Sequence, residues 1–236
     1  MTTTARKPHP ATTTPPTPKK ATHKTVIVAH PTRKHWADQL GDTLGAYIEM
    51  DPGRLGCTRN HINAWQHHHN HTTLDWALVI EDDAIPIPDF ATQTALALGA
   101  APTPIVSLYL GRQRPPQHQP TIMAAVKNAT ENHHAWITSP TLYHCVAVAI
   151  RTSHLGSLVR FIDHNPYCHL DIDEAITEWA RYHNHLIAYT QPSLVDHRDQ
   201  GTIAKHRDGA PRETGRTAYQ TGPRDDWHTD ATPIIR

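Results

Sequence analysis

The sequence predicts an α/β fold in which a mostly parallel central sheet is flanked by helices. Near the start, a compact apolar run at 25–30 is followed by a helical pattern and then by a second short run at 46–50. This β-α-β order is typical of a parallel sheet of the nucleotide-binding type. A third apolar run, Trp76–Ile80, leads directly into three consecutive acids at 81–83. It indicates a buried strand with carboxylates at its end.

The length and composition fit one domain between two polar ends. The chain has 236 residues, of which 38% are hydrophobic, and this is enough for a single domain with a full core. Residues 1–24 are rich in Thr, Pro, Ala and Lys, so we expect a disordered leader there. The predicted domain covers 25–204, and 205–236 form a polar tail that we expect to be poorly ordered.

Charge and cysteine usage narrow the classes of function. The formal net charge is zero, which argues against bulk binding of nucleic acid, although the 21 histidines would become cationic in mild acid. No run predicts a membrane span or the apolar core of a signal peptide. The three cysteines, Cys57, Cys145 and Cys168, are odd in number and lack CxxC spacing, which argues against a disulfide framework or a thiolate zinc site and fits a reducing, cytoplasmic location.

The first half of the domain contains two predicted helices. Trp36, Leu40, Leu44 and Tyr47 recur at helical spacing, with Gly45 near the expected end. A second helix begins near a capping Thr at 58. One face of this helix carries Cys57, His61, Ala64, Trp65 and His68.

The second half alternates between helices and strands. Helices are predicted at 90–98, 153–162 and 171–182, and strands at 104–110, 143–150 and 186–189. The prolines and arginines of 111–120 indicate a mobile loop.

The acids at 81–83 allow two interpretations. Ligands commonly bind outside the carboxyl ends of strands in open α/β sheets. Three like charges repel one another there, and a divalent cation such as Mg or Mn would relieve the repulsion. The alternative is a solvated acidic turn that leads into Pro86.

Two motifs carry a resemblance to a known family. The helix that contains Gly56-Cys57, His61 and Trp65, followed by the strand Leu78 to Ala84 with its three acids, resembles glycosyltransferase family 25. That family has a Gly-Cys-x-x-Ser-His-x-x-x-Trp helix before a Glu-Asp-Asp strand, and this chain departs from it at Asn60, where the family has Ser.

Further features are similar to small phage-encoded relatives of this family. They are a basic turn after the first strand and a late Pro-Ser-Leu-Val-x-His at 192–197, so the resemblance spans roughly residues 25–200.

The resemblance implies a GT-A type, Rossmann-like domain and a metal-dependent transferase that inverts the anomeric centre. The donor would be a nucleoside-diphosphate sugar, with a UDP-sugar favoured, and the cofactor would be Mn or Mg. The acceptor would be a hydroxyl of a glycan, a protein or a modified nucleobase. A cation held by acids would neutralise the charge that develops on the leaving diphosphate.

The resemblance also implies roles for individual residues. Asp83 and the late His197 are the predicted metal ligands, and Asp82 is predicted to contact the sugar or ribose. Asp173 is the predicted base, although Asp171, Asp173 and Glu174 could instead only complement the helix dipole. Thr32, Arg33 and Arg54 are predicted contacts to base or phosphate, with solvated side chains as the alternative.

For several histidines and one acid, a structural role is the alternative to a role in the site. Glu81 could be structural, and His61 could be a hydrogen-bonded core residue. His67, His68, His69 and His71 could suggest zinc, but consecutive helical positions point in different directions, which favours a solvated helix end. Two functions from other classes therefore remain as hypotheses: a noncatalytic nucleotide- or metal-binding protein of the same fold, and a His-rich metal-dependent hydrolase.

Overall fold

The computed structural model describes residues 19–71, 73–164, 169–200 and 214–234. Cys168 and residues 1–18 of the predicted leader lie outside the described residues, as do 201–213 and 235–236 of the C-terminal part. The helices are α1 Lys34–Leu44, α2 Cys57–His71, α3 Phe90–Ala100, α4 Gln119–Glu131, α5 Thr152–Ile162 and α6 Ile172–Tyr182. The strands are β1 His23–Ala29, β2 Tyr47–Met50, β3 Trp76–Glu81, β4 Ala84–Pro86, β5 Ile105–Ser107, β6 Trp136–Ser139, β7 Ala147–Arg151, β8 Ile187–Thr190, β9 Val195–His197 and β10 Ala231–Pro233.

Eight strands form the central sheet, in the order β10-β6-β8-β5-β7-β3-β1-β2. Neighbours pair in parallel at β1–β2, β1–β3, β5–β8 and β6–β10, and antiparallel at β3–β7, β5–β7 and β6–β8. The predicted α/β class with a mostly parallel sheet flanked by helices is confirmed. A separate pair, β4–β9, lies beside the sheet.

Alternating side chains of the strands build a core on each face of the sheet. Val26 and Val28 of β1 pack toward α2, α4, α5 and α6, whereas Ile27 and Ala29 pack toward α1 and α3. All of Trp76–Ile80 is buried, with at most 1% of any residue exposed. Burial of each large apolar side chain contributes about 1.5 to 3 kcal/mol, so β3 is fixed firmly in the middle of the fold.

The middle of the chain differs from the sequence-based prediction. The strand predicted at 104–110 is only Ile105–Ser107, and the expected loop at 111–120 contains a 3-10 turn and the start of α4. A proline in the first turn of α4 is compatible with a helix, because the first N–H groups have no intrahelical partner. The Gln119 side chain then holds the loop by donating to the carbonyls of Gly111 and Arg114 at 3.2 and 2.6 Å.

The two polar ends also contribute more contacts than expected. The N–H of Ala21 donates to the carbonyl of Ala95 at 2.8 Å, and β1 begins at His23, inside the predicted leader. In the C-terminal part, which we expected to be poorly ordered, residues 214–234 add β10 and bury Trp227. Among the described residues, none of the helices combines the length and the apolar character needed to cross a bilayer.

Candidate active site

The candidate site lies at one edge of the central sheet, where several strands end. β1, β2 and β3 are mutually parallel, and two antiparallel steps through β7 give β5 and β8 the same direction as β3. The loops after these strands therefore meet at one edge, which is where open α/β sheets commonly bind ligands.

The pairing of β4 with β9 brings His197 to Asp83. Ala84 lies opposite His197 in this pair, and the N–H of Arg198 donates to the carbonyl of Asp83 at 2.9 Å. The Nε2 atom of His197 consequently lies 3.3 Å from Oδ2 of Asp83. Two residues far apart in the sequence thus meet through backbone pairing.

Arg33 links the two aspartates at the end of β3. Its Nη1 atom lies 3.3 Å from Oδ1 of Asp82 and also donates to Oδ2 of Asp83. The backbone N–H of His30 donates to the other oxygen of Asp82 at 2.8 Å. The guanidinium of Arg33 stacks over the ring of Trp36, 5.6 Å from its centroid. This network fixes the two carboxylates, which are 5% and 3% exposed.

The three consecutive acids have different electrostatic surroundings. Burial alone would raise the pKa of Asp83, but hydrogen bonding and charge from His197 and Arg33 lower it below its ordinary value. The pKa of Asp82 is raised, chiefly by burial. The pKa of Glu81 is raised to about 8, first by burial and then by the negative charges of Asp83 and Asp82. Asp83 is therefore the acid whose ionised form the site favours most.

The residues around Asp83 have the chemistry of a site for a hard divalent cation. Glu81, Asp83 and His197 each offer one ligand atom, and these three atoms lie within 4.8 Å of one another. Oδ1 of Asp83 is buried and has no hydrogen-bond partner among the described residues. Two carboxylates and an imidazole suit Mn or Mg, so the residues fit the cation that the sequence predicts.

Asp173 lies near this edge, at the start of α6. Its Oδ1 atom accepts the N–H of Glu174 at 3.0 Å. Burial, followed by the charges of Asp171 and Glu174, raises the pKa of Asp173 to about 7. The charge of Asp173 is also among the smaller causes that raise the pKa of Glu81.

Thr32 and Arg54 occupy two neighbouring loops. The hydroxyl of Thr32 hydrogen-bonds Nδ1 of His30 at 2.8 Å, in the turn that presents Arg33. Arg54 is exposed and lies in a loop wrapped around the Asp51 carboxylate. That carboxylate accepts the N–H groups of residues 53, 54, 55 and 56 at 2.8 to 3.0 Å. The structure thus joins Asp82, Asp83, Arg33 and His197 in one network, while Thr32 and Arg54 stand on adjacent loops.

Two residues of the α2 motif support this edge of the sheet. The Asn60 side chain is 4% exposed and donates to the carbonyls of Ala29 and Glu49, at 3.3 and 3.0 Å. Asn60 therefore ties the ends of β1 and β2 together, a role that does not need the hydroxyl of the family motif. His61 is 2% exposed and lies against Glu81.

The histidines at the end of α2 do not converge. His68 is fully buried and donates through Nε2 to the carbonyl of Leu78 at 3.0 Å, which corrects the expectation that the whole cluster is solvated. His67 stacks on Tyr47 with the ring centroids 4.1 Å apart, and His69 and His71 are exposed. Among the described residues, neither cluster of potential metal ligands includes any of these four.

Glu81 and His144 are site residues that the sequence analysis did not assign to the site. Glu81 is the last residue of β3 and Asp83 lies in the turn that follows, so strand alternation alone does not predict that the two acids share a site. His144 donates through Nε2 to the carbonyl of Arg114 at 2.8 Å, and its ring lies 5.1 Å from Tyr109, which is 6.2 Å from His197. His144 has no local sequence signal, because only the antiparallel placement of β7 brings it to this edge.

Comparisons with solved structures give distant likenesses. No family model matches the chain, and no curated protein matches it. The crystal structure of A197 from STIV is 14% identical, with a TM-score of 0.47, covering 87% of this chain and 100% of that chain. The structure of a glycosyltransferase involved in the glycosylation of the major capsid of PBCV-1 is 8% identical, with a TM-score of 0.32, covering 66% and 74%. These values carry no argument about activity, so the resemblance to glycosyltransferase family 25 stays a prediction.

Proposed function

We propose that this protein is a metal-dependent, inverting glycosyltransferase that moves a sugar from a nucleoside-diphosphate sugar to an acceptor hydroxyl. The observation that carries the proposal is the meeting of Asp83, His197 and Glu81 at the carboxyl edge of the sheet. The motifs of α2 and β3 add the resemblance that points to sugar transfer.

Asp83, His197 and Glu81 would hold the cation. When bound, a divalent cation supplies positive charge against the diphosphate that leaves with the nucleotide. Arg33 already lies between Asp82 and Asp83 and could turn its guanidinium toward the same phosphates. Asp82 has one oxygen fixed by the N–H of His30, which would orient the carboxylate toward the ribose or sugar.

Asp173 is the proposed base. Its pKa of about 7 lets the carboxylate both exist and accept a proton near neutral pH, as general-base catalysis requires. The acceptor oxygen would bond the anomeric carbon as its proton moves to Asp173, and the bond from that carbon to the diphosphate oxygen would break. One such displacement inverts the anomeric centre.

A noncatalytic nucleotide-binding protein of the same fold is the second candidate. It is favoured by the contacts of Arg33 with both aspartates, which balance much of their charge without any ion. The third hypothesis, a His-rich hydrolase, has less support because the four histidines at the end of α2 join neither cluster of potential ligands among the described residues.

A turnover assay separates the first two candidates. The protein is incubated with Mn²⁺ and a panel of nucleoside-diphosphate sugars, and the released nucleoside diphosphate is measured. Release that needs Mn²⁺ and disappears in Asp83→Asn would support the transferase. Nucleotide binding without release from any donor, with and without simple sugar acceptors, would favour the noncatalytic protein.

A further inference from the structure

A second group of potential ligands lies on the other side of Glu81. Cys57 and His61 are one helical turn apart at the start of α2, and both face the end of β3. The Sγ atom of Cys57 lies 3.5 Å from Nδ1 of His61, and Nε2 of His61 lies 3.7 Å from Oε1 of Glu81. One ligand atom from each of the three residues lies within 4.8 Å of the others.

The imidazole of His61 points to a ligand in this group. Nδ1 lies 3.0 Å from the carbonyl oxygen of Cys57, which can only accept, so Nδ1 carries the proton and Nε2 carries a lone pair. The side chain is 2% exposed, and Nε2 has no hydrogen-bond partner among the residues that the structure describes. A buried acceptor without a donor destabilises the folded state. A cation on this lone pair would relieve that penalty.

The ligand types differ from those around Asp83. A thiolate, an imidazole and one carboxylate are the ligands that zinc and similar thiophilic ions prefer, and three protein ligands leave a fourth position for water or substrate. The Asp83 group has two carboxylates and one imidazole and suits a hard ion. Cys57 as a residue is exposed, whereas burial and the charge of Glu81 raise the pKa of its thiol, so the thiolate would form when a cation binds it.

We propose that Cys57, His61 and Glu81 form a binding site for zinc or another thiophilic divalent cation, separate from the Asp83–His197 site but sharing Glu81 with it. Binding replaces the S–H bond of Cys57 with a sulfur–metal bond and releases the thiol proton to solvent. Because Glu81 is common to both groups, an ion at one site changes the carboxylate that is offered to the other. The proposal does not depend on glycosyl transfer.

Cobalt is the direct probe of this site. Co²⁺ replaces zinc in such sites, and a cobalt–thiolate bond produces a charge-transfer absorption in the near ultraviolet that oxygen and nitrogen ligands do not produce. Titration of the full chain with Co²⁺ should develop this band, and added Zn²⁺ should abolish it. Cys57→Ser should remove the band and weaken zinc binding by about 100-fold or more, since even outer partners of ligands contribute 10- to 100-fold.

Matched variants assign the ligands. Cys145→Ala removes the other described thiol and should keep the band, because Cys145 lies outside the cluster. Asp83→Asn should also keep it, whereas Glu81→Gln should weaken both cobalt and manganese binding. Circular dichroism checks that each variant is folded.

The proposal fails if wild-type protein gives no band at saturating Co²⁺, or if the band persists in Cys57→Ser. It also fails if Cys145→Ala abolishes the band. None of these results bears on donor turnover, which is measured separately with Mn²⁺.

Discussion

At the scale of single residues, Asp173 offers the sharpest test of chemistry as distinct from binding. Its carboxylate would act only when the acceptor hydroxyl loses its proton, so Asp173→Asn should lower turnover by about 100- to 10,000-fold. Donor and cation affinity should change little, because the proposed metal ligands are Glu81, Asp83 and His197. Steady-state kinetics and calorimetry on the same variant check both halves of the prediction.

Two neighbours provide the controls for Asp173. Asp171 makes no capping hydrogen bond through its side chain, and Glu174 is exposed. Asp171→Asn and Glu174→Gln should therefore lower the free energy of unfolding by only a few tenths to about 1 kcal/mol, which is the contribution of a charge at a helix terminus. If Asp171→Asn abolishes turnover while Asp173→Asn is harmless, the base has been assigned to the wrong acid of this helix.

Residues could be predicted from the sequence where a local pattern carries the information. The run into Glu81, Asp82 and Asp83 is local, and so is the helical spacing of His61 and Trp65. Arg33 contacts both aspartates from the turn that follows a different strand, β1. No local sequence pattern predicts that contact. Glu81 is assigned to the site by the structure, which brings its carboxylate within 4.8 Å of ligand atoms of Asp83 and His197.

At the scale of elements, the C-terminal segment 214–234 is part of the fold. The Trp227 side chain is 2% exposed, and its Nε1 donates to the Gln93 side chain at 3.1 Å. Its carbonyl accepts from Nε1 of Trp136 at 2.9 Å. The polar composition of this segment led to the prediction of a poorly ordered tail. The few residues that anchor the segment, such as Trp227, are too sparse to form a periodic apolar pattern.

Trp227→Ala should therefore destabilise the protein markedly. Loss of a buried Trp side chain costs about 3 to 5 kcal/mol, through lost burial and the cavity that remains. The free energy of unfolding in urea measures the effect. His228→Ala, at the exposed neighbouring position, should stay within about 0.5 kcal/mol of the wild type. Equal effects of the two variants would mean that this segment does not pack on the sheet.

The β4–β9 pair shows why contacts between secondary-structure elements are difficult to predict from sequence. Each strand has three residues, too few for a reliable periodic signal. The pair nevertheless sets the contact between Asp83 and His197. His197 could be named from the family resemblance, but its position beside Asp83 follows from long-range pairing alone.

At the scale of the whole molecule, buried titratable groups determine how stability depends on pH. Burial lowers the pKa values of His61, His68 and His144 to about 4. Their contribution to stability is present above their unfolded pKa of 6.5 and is lost as the pH falls toward 4. Burial raises the pKa of Glu81 to about 8 and that of Asp173 to about 7. Their contribution is present in acid, below the unfolded pKa, and is lost as the pH rises toward those values.

These opposite signs predict that the stability of the protein without metal is highest at mildly acidic pH, between the folded-state pKa values of the three histidines and those of the two carboxyl groups. Above this range only the two carboxyl groups lose protons on unfolding, so stability falls with rising pH. Below it, three histidines gain protons on unfolding while two carboxyl groups lose them, so stability falls with falling pH. Urea unfolding at a series of pH values in the presence of a chelator gives the profile.

Glu81→Gln tests the alkaline side of this profile. Because glutamine stays neutral, the gain in stability over wild type should be larger at pH 8 than at pH 5. Glu131→Gln changes an exposed glutamate on α4 and should leave the profile unaltered. If the free energy of unfolding of Glu81→Gln falls with rising pH as steeply as that of the wild type, Glu81 is not held neutral by its surroundings.

We propose that Asp83 anchors a divalent cation that the donor nucleotide requires. The test is calorimetric titration of Mn²⁺ into wild-type protein and Asp83→Asn, each with and without UDP. We expect Mn²⁺ to bind the wild type and to strengthen UDP binding, and we expect Asp83→Asn to stay folded but to lose at least about tenfold in Mn²⁺ affinity, or about 1.4 kcal/mol. His197→Ala should lose less, because water can replace one neutral ligand. Wild-type Mn²⁺ affinity in Asp83→Asn would contradict the claim.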